Sequence, residues 1–153
     1  MKIIIDNKIN EKCSQVAIGS IEAYIKVSEE NEELWKLISE KASEIEKNIP
    51  VKQITTIKNI ADSRNAYKSF GKDPSRYRLS SEALYRRIAR GLGLYKVNNV
   101  VDINNLISLE SAYSVGTYDL DKLSGEIHFT IADEGETYEG IGKGEINISH
   151  LPV

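Results

Sequence analysis

The sequence has few of the residue types from which most metal and nucleophilic centres are built. Its single cysteine, Cys13, excludes an internal disulfide and a cysteine-based metal cluster. We interpret Cys13 as a half-buried small residue. Both histidines, His128 and His150, lie in strand-like segments without a carboxylate or cysteine at ligand spacing, so no metal and no cofactor is expected. No segment resembles the nucleophile elbow of a serine hydrolase.

Long apolar runs are also lacking. The isoleucines at 3–5 form one of the longest runs, which is far too short to cross a bilayer. The N-terminus shows no small-residue cleavage site of a secretory signal. We therefore expect a cytoplasmic protein with no membrane partner. The 153 residues suit one domain with a proper core, so a single domain over residues 1–153 is expected.

The net charge is small, but charged residues are distributed unevenly along the chain. The net charge of −3 argues against a non-specific nucleic-acid coat, and no DNA partner is expected. Residues 29–48 hold seven glutamates and three lysines, whereas residues 64–90 hold eight basic and two acidic residues, a net charge of +6. Two interpretations stay open for the basic segment. Its arginines either meet an anionic partner, or they pair with the acidic helix and cover apolar surface.

Hydrophobic periodicity predicts sheet at both ends of the chain and helices between them. The predicted N-terminal elements are a strand over 2–6, a turn at 7–8 and a strand over 15–27. The predicted helices are 32–48 capped by Ser28 or Asn31, 51–70 stopped by Gly71, 82–90 capped by Ser80 or Ser81, and a short fourth helix that follows the cap Asp102 and runs through Leu106 to about Glu110. The predicted C-terminal elements are a strand over 126–131, a turn at 133–135, a glycine-rich link at 140–144 and a last strand with Ile146 and Ile148. This order predicts the α+β class.

Short polar residues cluster between the basic segment and the C-terminal sheet. Such side chains usually fix their own backbone, which is the simplest interpretation of Asn98, Asn99 and Asp102. Asn105 and Ser108 are three residues apart and share one helix face. They are candidates for a pocket wall, and hydrogen bonds that line the core remain an alternative.

Four sequence blocks, in order, carry a resemblance to a known family. They are YKSFGKDP at 67–74, SEALYRR at 81–87, NNVVDINN at 98–105, and YDLDKL at 118–123 followed by Gly125. The ADEGE turn at 132–136 fits the same pattern. The chain resembles, over about residues 60–148, a free-standing B-three/four domain like that of the bacterial phenylalanyl-tRNA synthetase beta subunit. The resemblance implies a three-layer α+β domain with a sandwich-like sheet and a central helical segment.

The resemblance also implies a partner and a reaction. The partner would be a phenylalanine-type tRNA or its aminoacylated form, and the reaction would be hydrolysis of wrongly attached tyrosine. A water held against the ester and the tRNA's own terminal hydroxyl can perform this chemistry without a protein nucleophile. The matched blocks give these candidates for the pocket and the tRNA face: Arg86, Arg87, Asn98, Asp102, Asn105, Ser108 and Glu136. Phosphate contact is expected for Arg86 and Arg87, and structural capping for Asp102 and Glu136.

Two departures from the family pattern keep the function open. The C-terminal part of the family domain is expected to be missing after Val153, and residues before about 55 match no part of the synthetase. No catalytic residue is therefore assigned. The alternatives to an aminoacyl-tRNA deacylase that acts in trans are a non-catalytic RNA-binding module and an amino-acid or small-molecule binding domain with the same fold.

Overall fold

Helices occupy the middle of the chain, and the paired strands lie near its ends. The computed structural model describes residues 2–140 and 144–153. The helices are α1 (Asn7–Asn10), α2 (Glu32–Asn48), α3 (Lys58–Ser69), α4 (Ser80–Ile88) and α5 (Asn99–Ser111), with 3₁₀ helices at Val51–Thr56 and Leu120–Lys122. The strands are β1 (Ile3–Ile5), β2 (Ile127–Phe129), β3 (Thr137–Gly140) and β4 (Gly144–Asn147).

The chain divides into two compact units, which are described separately. The helical unit comprises residues 24–64 and 78–120. In it α5 packs against α2 and α4, and α4 also packs against the first 3₁₀ helix. The apolar stripe of α2 faces the core through Leu34, Ile38 and Ile45, as its spacing predicts, whereas Leu37 is half exposed.

Local signals set the ends of the long helices. Asn31 caps α2, because its side chain accepts a hydrogen bond from the Leu34 amide at 3.0 Å, and the helix stops before Pro50 as predicted. Asn98 caps α5 by accepting from the amides of Val100 and Val101 at 3.1 and 3.0 Å. At the other end of α5, Ala112 adopts a left-handed conformation with φ of 59°.

The strand unit comprises residues 1–23, 65–77 and 121–153. Its β1 and β2 pair in parallel with Ile3 opposite Ile127, and β3 and β4 pair antiparallel with Thr137 opposite Asn147. A small apolar cluster of Ile9, Phe70 and Ile131 lies at its core, and the half-buried Cys13 packs against it as expected.

Two N-terminal predictions are wrong. Residues 7–8 begin the helix α1 rather than a turn, because Asp6 accepts a hydrogen bond from the Lys8 amide at 2.8 Å and caps the segment. Residues 15–27 alternate like a strand but pair with neither of the two described sheets. Most of their apolar side chains are exposed instead, with Ile21 at 91 % and Tyr24 fully accessible, whereas Val16 packs against the cluster around Ile9. Alternation favours a strand only where a neighbouring strand supplies hydrogen bonds.

Three helix boundaries also differ from prediction. The single helix expected over 51–70 is broken at Ile57, whose ψ of 123° is extended. The cap of α4 is Leu79, which offers no side-chain hydrogen bond, so neither Ser80 nor Ser81 has the predicted role. The fourth helix begins at Asn99, four residues before the start that a cap at Asp102 predicts, because Asn98 rather than Asp102 is its cap. Gly71 takes the predicted left-handed conformation, with φ of 85°.

The α+β class is confirmed. The three-layer arrangement and the single domain over 1–153 stay predictions. The predicted glycine-rich link lies partly outside the described residues, since 141–143 are not among them. Over the ranges that the structure describes, every helix is either too short or too polar to cross a membrane.

Candidate functional site

Three arginines converge on one buried carboxylate at the start of α4. Glu82 is 1 % exposed, and its Oε2 atom accepts a 2.7 Å hydrogen bond from Arg64. Its Oε1 atom accepts a 2.7 Å bond from the Nε of Arg86, one helical turn later. The Nε of Arg78, one turn earlier, lies 3.8 Å from the same oxygen. We call Glu82 with these three arginines the arginine cluster.

The three arginines of the cluster differ in how firmly they are held. The side chains of Arg64 and Arg86 are 17 % and 20 % exposed, and each makes a short bond to Glu82. The side chain of Arg78 is 43 % exposed, and its longer contact is an ion pair rather than a hydrogen bond. Arg78 is therefore the member whose guanidinium best suits an external anion. The phosphate contact expected of Arg86 stays a prediction, although Glu82 already occupies its Nε.

Arg87 faces the turn that follows α4. Its Nε donates to the Gly93 carbonyl at 2.7 Å and its Nη2 to the Leu92 carbonyl at 3.2 Å. Its guanidinium also lies over the ring of Tyr95, 4.1 Å from the centroid. Arg64, Arg78 and Arg86 pair with Glu82, and Arg87 donates to backbone carbonyls, so these four arginines help to organise the helical unit itself.

Asn98 and Asn99 fix backbone, as expected, but on different scales. Asn98 caps α5, whereas the side-chain amide of Asn99 binds a segment some seventy residues away in the chain. The Oδ1 of Asn99 accepts from the Ser28 amide at 2.9 Å, and its Nδ2 donates to the Lys26 carbonyl at 2.9 Å. In a third hydrogen bond, the backbone N–H of Asn99 donates to the Ser28 carbonyl at 2.9 Å. Asn99 therefore pairs with this extended segment almost as a strand would.

Asp102 is buried and joins two elements instead of capping a helix. Its Oδ2 accepts from the indole nitrogen of Trp35 at 2.6 Å, and its Oδ1 accepts from the Val97 amide at 3.3 Å. A buried carboxylate needs such donors to offset its lost hydration. Trp35 is thereby held by its polar edge, and Lys96 lies over its ring at 5.3 Å.

The remaining candidates in the helical unit lie on α5. Ser108 is buried at 3 % exposure and Asn105 is half-buried, which fits their shared helix face. The hydroxyl of Tyr85 on α4 donates to the Leu109 carbonyl on α5 at 2.6 Å. Burial raises the pKa of this hydroxyl, because the phenolate would lose its hydration.

Glu136 belongs to the strand unit. Its carboxylate accepts a hydrogen bond from the Asp133 amide and closes the turn before β3, which is the structural capping role expected for Glu136. In the same turn Asp133 accepts from Lys8 at 2.7 Å, and this bond lowers the pKa of Asp133 and raises that of Lys8. His150 lies in a turn rather than a strand, with Nε2 2.5 Å from Glu134. No grouping of three metal-ligating side chains occurs among the described residues.

Two shallow depressions mark the surface of the helical unit. One, of about 310 Å³, lies beside the Trp35 ring and is also lined by Ile38, Ser39, Ala42, Ser43, Glu46, Gly93 and Leu94. The other, of about 290 Å³, lies between α2 and α5 and includes Lys41, Glu44 and Glu110. Burial lowers the pKa of Lys41, but the bond to Glu44 and the charge of Glu110 outweigh it and hold that pKa above its ordinary value.

Several residues that organise this region were not among the predicted candidates. Glu82 could have been found from its spacing, since it lies four residues from both Arg78 and Arg86. No signal in the sequence pairs Trp35 with Asp102. No sequence motif marks Tyr95, whose ring is exposed.

Part of the chain also matches individual known proteins. Phenylalanine–tRNA ligase beta subunits are similar to it: that of Neisseria meningitidis serogroup B is 37 % identical over 57 residues, and that of Pectobacterium atrosepticum is 33 % identical over 64 residues. These matches cover 37 % and 42 % of this chain, but only 7 % and 8 % of the relatives. No solved structure matches.

The family comparison covers more of the chain than the individual relatives do. The profile of the B3/4 domain matches residues 62–151, which include α4, α5 and all strands but β1. This confirms the resemblance drawn from the four sequence blocks. The chain belongs to the B3/4 domain family.

Proposed function

We propose that this chain is a cytoplasmic, tRNA-associated domain that contacts the RNA backbone through the arginine cluster. The observation that carries the proposal is the arrangement around Glu82. One buried carboxylate holds three arginines from α3, from the segment before α4 and from α4 itself, and leaves Arg78 43 % exposed. A guanidinium pre-positioned in this way loses little side-chain entropy when it binds a phosphate.

Charge supports contact at a defined place rather than general attraction. The whole chain carries a net charge of −3, so RNA is not drawn to every surface. Residues 64–90 carry +6 and lie within the segment that matches the family. The relatives that match part of the chain are named as phenylalanine–tRNA ligase beta subunits, which makes a tRNA the partner of choice.

The test compares Arg78→Gln with Lys36→Gln in fluorescence anisotropy with phenylalanine tRNA at several salt concentrations. Both variants lose one exposed positive charge, but Lys36 lies on the acidic helix α2. Arg78→Gln should weaken binding and reduce the slope of log K against log salt by about 1. Lys36→Gln should change neither. Equal behaviour of the two variants would count against the arginine cluster as the RNA contact.

Arg86 and Arg87 are poorer test positions, although both were expected to bind phosphate. Removal of Arg86 breaks a 2.7 Å bond to the buried Glu82, and removal of Arg87 frees the turn after α4. Glutamate at both positions should therefore lower the melting temperature as well as tRNA affinity. Binding that survives this change with the same salt slope would argue against the RNA-binding proposal.

The finer part of the proposal is hydrolytic editing in trans. The domain would remove tyrosine from wrongly charged phenylalanine tRNA, with the tRNA's terminal hydroxyl assisting an ordered water. Family membership supports this reaction, and no residue is assigned as catalytic. Incubation of the protein with tyrosine-charged phenylalanine tRNA should release tyrosine above the buffer rate, and correctly charged tRNA serves as control. Release at the buffer rate would overturn the editing part alone.

A thermal-shift experiment separates tRNA association from amino-acid binding. A ligand that binds the folded state raises its melting temperature. We expect a shift with phenylalanine tRNA and a smaller one, if any, with free tyrosine. A shift with tyrosine and none with tRNA would replace the proposal by that of a small-molecule binding domain.

A further inference from the structure

An aromatic ring stands exposed and immobilised at the end of the turn after α4. Tyr95 is 70 % exposed, although one face of its ring is covered by the guanidinium of Arg87 at 4.1 Å. Arg87 is itself fixed by its two hydrogen bonds to the carbonyls of Gly93 and Leu92. Together Tyr95 and Arg87 form what we call the stacking platform. Its ring is oriented before any ligand arrives.

A second aromatic group and a second cation lie close by in the same unit. Lys96 follows Tyr95 in the chain and lies over the ring of Trp35 at 5.3 Å. Trp35 is held by the 2.6 Å bond from its indole nitrogen to Asp102. The depression of about 310 Å³ beside Trp35 is lined by Gly93 and Leu94, the two residues that precede Tyr95.

The chemistry of this surface suits an unpaired nucleobase. Bases that are not in a duplex stack on exposed aromatic rings and on guanidinium planes, and nearby cations neutralise the adjoining phosphates. Arg87 polarises the ring of Tyr95 from one side and Lys96 adds a second positive charge. The depression offers the Ser43 hydroxyl and the Glu46 carboxylate, which accept hydrogen bonds from exocyclic amino groups.

We infer that the stacking platform binds an unpaired base of a single-stranded RNA segment, such as the unpaired 3′ end of a tRNA. This inference rests on the proposed function, because it takes RNA as the partner. It adds a second RNA contact, which differs from the first in its dependence on salt and on base pairing. The arginine cluster would bind phosphates of any RNA and respond to salt, whereas the stacking platform would select unpaired strands and respond little to salt.

The test uses the full chain and three variants with a labelled single-stranded 12-nucleotide RNA and with the duplex of the same sequence. Tyr95→Ala should weaken single-strand binding by about 5- to 150-fold, the usual value for loss of one stacked base. Tyr95→Phe keeps the ring and should bind like the wild type. Tyr118→Ala removes a comparably exposed ring, 66 % accessible, and should leave affinity unchanged. Duplex binding should be the same in all four proteins.

Salt dependence and a shortened tRNA separate this inference from the proposed function. Tyr95→Ala should keep the wild-type salt slope, and removal of the unpaired 3′ end from the tRNA should abolish the difference between Tyr95→Ala and wild type. Single-strand binding by Tyr95→Ala equal to that of wild type would overturn the stacking platform while the Arg78 effect stands. Wild-type protein that binds neither tRNA nor the single strand would overturn both proposals.

Discussion

The two units each contain a lysine or arginine bonded to a carboxylate at 2.7 Å, but in very different surroundings. In the helical unit Arg86 meets Glu82, which is 1 % exposed. In the strand unit Lys8 meets Asp133, and these side chains are 50 % and 75 % exposed. The two ion pairs therefore have the same length but stabilise their units to different extents. Burial, and the number of partners on the carboxylate, decide how strongly each pair supports its unit.

The physical reason is the cost of removing charge from water. The Glu82 carboxylate has lost its hydration, and its arginine partners replace it, so loss of either side leaves a buried charge without compensation. The Asp133 carboxylate remains hydrated whether or not Lys8 is bound, and salt screens the pair. Three predictions test this contrast, and they are given in order of decreasing effect.

The largest effect is expected from Glu82→Gln. The amide keeps the shape of the side chain but carries no charge, so Arg64 and Arg86 each lose an ion pair with Glu82. We expect the free energy of unfolding to fall by about 3–5 kcal/mol, measured by urea titration. Arg78→Gln is the matched control, because its 3.8 Å contact is long and its side chain 43 % exposed. That variant should lose about 0–1 kcal/mol. Equal losses would mean that burial does not set the energy.

An intermediate effect is expected from Tyr85→Phe, which removes a buried hydrogen bond without touching an ion pair. The Leu109 carbonyl loses its 2.6 Å donor, and stability should fall by about 1 kcal/mol. The pKa of Tyr85 is raised in the folded state, so its contribution is complete below the ordinary value of 10.0 and is lost as pH rises above it. The variant should thus lose less stability than wild type as pH rises above 10.0. A parallel decline in both would contradict this.

The smallest effect is expected from Lys8→Gln in the strand unit. The pKa of Asp133 is lowered, so its contribution is present above 3.8 and lost as pH falls; that of Lys8 is raised, so its contribution is present below 10.5 and lost as pH rises. Because both groups are exposed, the melting temperature at physiological salt should match wild type within error. A difference should emerge only at low salt. A large loss at high salt would erase the contrast with Glu82.

Local signals predicted the long helices well. Asn31 and Pro50 mark the ends of α2, and Gly71 takes the left-handed turn expected of it. These features depend on residues a few positions apart, which is the range that sequence patterns cover. The strand expected over 15–27 is absent because a strand also needs a partner, and alternation does not reveal one. The start of α5 was missed because Asp102, which lies inside the helix, is also a residue type favoured at helix caps.

The candidate site was predictable in its sequence blocks but not in its contacts. The blocks placed the family on α4 and α5, and the family comparison confirms it. The bond between Asp102 and Trp35 joins residues 67 positions apart, and no periodicity encodes such a distance. Glu82 could have been recognised, since it lies four residues before Arg86 on one face of α4 and four residues after Arg78. The binding roles predicted for Asn105, Ser108 and Glu136 stay predictions.

The hydrogen bonds between Asn99 and the segment at 26–28 have a kinetic consequence. The Ser28 amide is protected from solvent exchange only while it donates to the Oδ1 of Asn99. Its hydrogen-exchange rate therefore reports how often the extended segment at 26–28 leaves α5, separately from global unfolding. Asn99→Ala would raise that rate while the amide of Leu34, held by Asn31 at the start of α2, exchanges as before. One side-chain amide thus sets the lifetime of a local opening.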